Sequence, residues 1–125
     1  MPEPSLLGAR IFVVDDEAII ALDLHSILAE AGAFVIGPAR TLDAAQVLAE
    51  RSELAAAILD VRLGSKSVLP VAKVLADRGI PFAFYTGDAK GHDLASNWPD
   101  VQILTKPAER AVIIVALARI LQCEV

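Results

Sequence analysis

The chain has 125 residues, 55% of them hydrophobic, and a net charge of −5, which suits one globular domain with a full apolar core. Its basic residues are scattered, so a nucleic-acid surface is not expected, and the longest apolar run, Ala111 to Ala118, is too short to span a bilayer. The single cysteine, Cys123, has no partner for an internal disulfide, and MPEPSLLGAR lacks a signal-peptide pattern, so a cytoplasmic location is expected.

After an N-terminal tail, residues 1–8, one domain is expected over 9–123. A first strand, Arg10–Val14, runs into Asp15, Asp16 and Glu17. Helical spacing follows over Glu17–Ala31, with Ile20, Leu24, Ile27, Leu28 and Ala31 on one side and Gly32 as the stop. A second strand, Phe34–Gly37, leads through GPAR to Thr41, an N-cap for a helix over Leu42–Arg51. The third strand, Ala56–Leu59, is wholly apolar and ends at Asp60. A helix over about Val68–Arg78 is bracketed by Ser67 and Gly79, with Pro70 in its first turn. The fourth strand, Pro81–Tyr85, meets Thr86-Gly87. A short helix is predicted over Ala89–Asn97, interrupted by Gly91 and closed by Pro99. The fifth strand, Val101–Leu104, reaches Lys106-Pro107, and a last helix runs from Pro107 to about Gln122.

Five β/α units imply an α/β fold, a doubly wound parallel sheet with five helices on both faces. Ligands of such sheets bind beyond the carboxyl ends of the strands. Asp15, Asp16, Asp60, Thr86 and Lys106 all follow strand ends, so three carboxylates, a hydroxyl and an ammonium should converge. Three carboxylates are tolerable around a divalent cation, and an oxygen-only set suits Mg²⁺. Asp60, alone on a central strand, is the natural nucleophile, since a carboxylate can take a phosphoryl group as an acyl phosphate. The cation and Lys106 would offset charge on that group, and Thr86 could hydrogen-bond it.

These residues resemble those of response-regulator receiver domains, the phosphorylatable half of bacterial two-component signalling. The likeness covers residues 9–122 and rests on four motifs: the acidic pair in VVDDE, the Asp of AILDVRLG, the Thr of FYTGD and the Lys-Pro of ILTKP. Each motif is common; all four in order at the strand ends are specific. The resemblance implies a flavodoxin-like strand order 2-1-3-4-5. It implies Asp60 as phosphoacceptor, and Mg²⁺ held by Asp16, Asp60 and the Arg62 backbone carbonyl, with Asp15 acting through water. It makes Thr86 the switch hydroxyl that turns toward the phosphate and Lys106 the residue that pairs with that phosphate, with a cis Lys106–Pro107 bond. It also implies a histidine kinase or histidine phosphotransfer protein as phosphodonor, and a homodimer or effector binding the face of the fourth and fifth helices and the fifth strand. Ile103 departs from the family, which has an aromatic there. PFAFYTGD, LDVRLG and SVLPVAKVLADRGIPF resemble a subgroup of mostly single-domain receivers with a Phe-x-Thr-Gly motif, common in alphaproteobacteria, although Asp88 stands where that subgroup has an aromatic.

Plainer readings stand beside these. Asp15 and Asp16 could cap the first helix, and Glu17 is read as its first-turn acid, outside the site. Arg62 is read as solvated, with a possible pairing to Asp88. His25 and His92 are read as surface residues, and no zinc site is expected. Trp98 is read as packing the end of the fourth helix. AVIIVALARIL is apolar nearly all round, so an outer face meeting a second molecule is expected. Two other functions remain open: a phosphate sink or shuttle without an effector, and a phosphatase of the haloacid dehalogenase type. The latter wants a second Asp two places past its nucleophile, where this chain has Arg62, and a cap that is absent here. A P-loop is missing from the sequence, and no output domain is expected.

Overall fold

The computed structural model describes residues 6–87, 98 and 100–122. The predicted helix at Ala89–Asn97, with Asp88 and His92, lies outside the described residues, as does Cys123. In chain order the strands are β1 (Arg10–Val14), β2 (Phe34–Ala39), β3 (Ala56–Leu59), β4 (Arg62–Leu63), β5 (Lys66–Ser67), β6 (Phe82–Thr86) and β7 (Ile103–Thr105). The described helices are α1 (Ala18–Glu30), α2 (Leu42–Arg51), α3 (Leu69–Asp77) and α4 (Arg110–Gln122).

Five strands form a parallel sheet in the order β2-β1-β3-β6-β7. This is the expected 2-1-3-4-5 arrangement. Two strand numbers go to a small antiparallel hairpin, β4–β5, between β3 and α3, which was not foreseen from the sequence.

The central strands are apolar because both their faces are covered. Phe12 and Val14 of β1 point to one side, where they join Leu59, Phe84 and the α2 and α3 residues Ala45, Val71 and Leu75. Ile11 and Val13 point to the other, among Ile58, Leu24, Leu28, Ile113 and Leu117 of the flanking α1 and α4. The period of two sends alternate residues into two separate cores. Each fully buried Leu, Ile or Phe stabilises the fold by about 1.5–3 kcal/mol. Leu6, ahead of β1, is buried with the second core, its N–H bonded to Ala31 O at 3.1 Å.

Several boundaries moved. β2 continues through Gly37 and a cis Pro38 to Ala39, where the sequence pattern ends it at Gly37. An edge strand tolerates the missing N–H of a proline, and β2 is at the edge. β7 starts at Ile103 because the Val101 N–H turns back to Trp98 O at 3.2 Å. The last helix starts at Arg110, after a cis Lys106–Pro107 bond. Thr41 caps α2 as expected, its Oγ1 accepting from Ala44 N–H at 3.2 Å, whereas α3 starts at Leu69 with Val68 at its N-cap, and Ser67 Oγ, one residue earlier, accepts from Leu69 N–H at 3.1 Å. Gly32 ends α1 at φ +94°, and a Cβ there would stand 2.9 Å from Leu7 Cα, so no larger residue fits.

Candidate functional site

The parallel ladders deliver Asp15, Asp60 and Lys106 one step beyond their strands and Thr86 at the last position of β6. Asp15 N–H bonds Ala39 O at 3.1 Å, Asp60 N–H bonds Val14 O at 2.8 Å, and Lys106 N–H bonds Thr86 O at 2.8 Å. Rigid backbone therefore places Asp15, Asp60, Thr86 and Lys106 at one edge, and all but the half-buried Lys106 are buried.

Lys106 is the hub. Its Nζ lies 2.8 Å from Asp15 Oδ2, 3.1 Å from Asp60 Oδ2 and 3.1 Å from Glu17 Oε1. The Asp15 contact is an ion pair whose angles are not those of a hydrogen bond; the other two are hydrogen bonds as well. Asp15 Oδ1 accepts from Glu17 N–H at 2.9 Å. Asp16 stands apart from the lysine. Its Oδ2 accepts from Gly64 N–H at 2.7 Å, and Arg40 Nη2 donates to its backbone carbonyl at 3.3 Å. Arg62, exposed, brings its amide to 3.5 Å from Asp60 Oδ1, at the limit of a hydrogen bond.

Oxygens of Asp15, Asp16, Glu17 and Asp60 all lie within 4.8 Å of one another. Glu17 is therefore part of the cluster. It sits at the N-cap of α1, not in its first turn, and pairs with Lys106 across 89 residues. Four carboxylates against one ammonium leave a surplus of negative charge at short range, and like charges this close repel strongly away from bulk water. Oxygen-only donors with excess negative charge fit a hard divalent cation such as Mg²⁺.

Two titrations follow from this crowding. Burial, reinforced by the Asp15 charge, raises Asp60 from 3.8 to about 6, although Lys106 and the Arg62 N–H pull the other way. For Lys106, burial acts to lower the pKa, but the close contact and charge of Asp15, then Asp60 and Glu17, outweigh it and hold the ammonium well above its ordinary range.

Tyr85 was not singled out from the sequence. Its Oη accepts from Ala108 N–H at 3.0 Å, and its ring centroid is 5.6 Å from Lys106 Nζ, so it braces the turn that holds the lysine. Ile103 faces Phe84 across the ladder and packs, half-buried, against the α2–α3 side core. Trp98 packs edge-on against Phe82, 5.4 Å between centroids. His25 is exposed on α1. The apolar outer face expected of the last helix is present: Ala111 and Val112 are exposed, and with Val115, Leu104, Gln102 and Arg119 they border a cavity of about 300 Å³. No helix among the described residues is long and apolar enough to cross a membrane.

No family model matches the sequence, and no curated protein does. Solved structures do. SdrG from Sphingomonas melonis Fr1 is 36% identical over 94% of this chain and 99% of its own, with a TM-score of 0.80. A response regulator receiver protein from Sinorhizobium medicae WSM419 is 31% identical over 97% of this chain and 100% of its own, with a TM-score of 0.82. The receiver domain of a sensor histidine kinase from Pseudomonas aeruginosa PAO1, 22% identical over 92% of this chain and 98% of its own, shares the fold with a TM-score of 0.79 and has a magnesium ion coordinated in its active-site cleft. The chain spans about half, 49%, of the PhyR response regulator of Brucella abortus, at 26% identity over 93% of this chain and a TM-score of 0.80.

Proposed function

The chain belongs to the response-regulator receiver family, and from that membership we propose that residues 9–123 form a phosphorylation-dependent signalling receiver, working in the cytoplasm, with Asp60 as the phosphoacceptor. One observation supports this most: Asp60, alone at the end of β3, stands 3.1 Å from the Lys106 ammonium inside a cluster of three further acids.

In this reading a Asp60 oxygen attacks the phosphorus of a phosphohistidine on a kinase or phosphotransfer protein. The new O–P bond forms as the P–N bond breaks, and the electron pair stays on the imidazole. Asp16, Asp60 and the Arg62 carbonyl would hold Mg²⁺, with Asp15, kept on Lys106 and the Glu17 amide, acting through water. When bound, that ion offsets the charge of the transferring group. The magnesium in the Pseudomonas receiver supports this assignment. Lys106, kept charged by its acids, pairs with the phosphoryl oxygens once Asp60 is modified. Thr86, at the end of β6, offers its hydroxyl to the same group, and the change passes along β6 and β7 to the outer face of α4. That face, apolar at Val112 and Val115, favours a second copy of the chain or an effector over a mere phosphate sink. A phosphatase of the haloacid dehalogenase type is disfavoured by Arg62, exposed where that chemistry needs a carboxylate.

The test is intact mass spectrometry after incubation with Mg²⁺ and acetyl phosphate. A single phosphoryl adduct, absent in Asp60→Asn, is expected. No adduct with any phosphodonor would sink the reading, and multiple turnover of phosphate esters would move it to the phosphatase.

A further inference from the structure

Gly64 is the last residue of AILDVRLG, the stretch that carries Asp60, and its amide reaches back into the site. The N–H donates to Asp16 Oδ2 at 2.7 Å, across 48 residues. Gly64 opens the two-residue turn Gly64–Ser65 of the hairpin, closed by the pairs Leu63–Lys66 and Arg62–Ser67. Its φ is +64°, the left-handed region that glycine enters freely, that asparagine tolerates and that β-branched residues avoid. The hairpin is anchored beneath: Leu63 and Val61 are buried, and Val68 N–H bonds Val61 O at 2.8 Å. The amide is thus held at a fixed place relative to β3.

Asp16 is the one acid of the cluster that does not pair with Lys106; the other three do. Arg40 contacts its backbone carbonyl, not its carboxylate. The orientation of that carboxylate therefore depends on the Gly64 N–H, a charge-assisted bond about twice as strong as a neutral one. With Oδ2 held there, the carboxylate keeps an oxygen within 4.8 Å of the Asp15, Glu17 and Asp60 donors.

We infer that Gly64 is a positioning residue for cation capture: its amide orients Asp16 toward the cluster, so the hairpin conformation sets the Mg²⁺ affinity of the site. This rests on the reading of the cluster as a Mg²⁺ site. Groups that hold a metal ligand in place in this way are worth roughly 10–100-fold in metal affinity.

A Cβ added at Gly64 meets nothing within 4 Å, so substitutions there act through the backbone angle and not through a clash. The experiment is calorimetric titration of Mg²⁺ into the wild type, Gly64→Val and Gly64→Asn. Gly64→Val should bind Mg²⁺ roughly tenfold more weakly or worse. Gly64→Asn should stay within about twofold of wild type, because it keeps the left-handed angle and the N–H. In amide spectra of the metal-free protein, Asp16→Ala should move the Gly64 resonance. Wild-type affinity in Gly64→Val, or an equal loss in Gly64→Asn, overturns the inference while the Mg²⁺ site stands. A wild type that takes up no Mg²⁺ overturns the site itself and this inference with it. Should Gly64→Val not fold, Gly64→Ala, strained at the same angle with a smaller side chain, takes its place.

Discussion

The Lys106 ammonium and the Asp60 carboxylate face each other at 3.1 Å, each side chain only 9% exposed. The same ammonium also pairs with Asp15 and Glu17, so one side chain ties together three of the four acids of the cluster.

Removing Lys106 leaves Asp15 and Asp60 buried without a counter-charge. Breaking a buried pair from one side typically costs about 3–5 kcal/mol. Lys106→Met should therefore unfold at markedly lower urea in metal-free buffer, and saturating Mg²⁺ should restore more of the loss than it adds to wild type. Equal midpoints for variant and wild type without metal would contradict the hub role.

Asp60 predicts a pH dependence with a definite sign. Its folded pKa, about 6, lies above the ordinary 3.8. The protonated form is thus favoured by folding, and its contribution is full below pH 4 and is lost as pH rises through about 6. Without a divalent cation, Asp60→Asn should remove that decline and be more stable than wild type at pH 7 by about 2–3 kcal/mol. At pH 3.5 the two should nearly coincide. Denaturant titrations across pH 3.5–8 check both ends.

Tyr85→Phe removes the acceptor for Ala108 N–H and leaves the ring near Lys106. A lost buried hydrogen bond that strands its partner costs about 1–3 kcal/mol. The Ala108 amide should also exchange faster with solvent, while Mg²⁺ affinity stays close to wild type. Exchange at Ala108 unchanged by the substitution would rule out the bracing role.

On the outer face of α4, Val112 is 48% exposed. Val112→Asp should change stability by no more than about 0.5 kcal/mol, as exposed substitutions do. If the face binds a second copy, light scattering with a phosphate mimic should show dimers in wild type and monomers in the variant.

How much of this was legible follows from locality. β1 and β3 read clearly because burial on both faces leaves a continuous apolar run, and Asp60 stands out as the polar residue that ends one. Glu17 read as a helix-start acid because its neighbours say so; its partner Lys106 is 89 residues away, and only the closed sheet brings them together. Tyr85 was hidden within a strand that is buried throughout, where no pattern marks one aromatic as a brace. The hairpin did leave a trace in Gly64-Ser65, a two-residue turn of a recognised kind. Its strands are two residues each and largely exposed, too short for alternation to show. The reach of Gly64 to Asp16 is a tertiary fact with no sequence trace.

Trp98 is the chain's one tryptophan, and it meets Phe82 edge-on at 73°. Phe82 opens the strand that Thr86 closes. The protein thus contains its own optical gauge: indole emission is read at one end of β6, while the acyl phosphate proposed for Asp60 would form beside the other. A shift of that strand on phosphorylation can be timed in a stopped-flow fluorimeter with no dye attached.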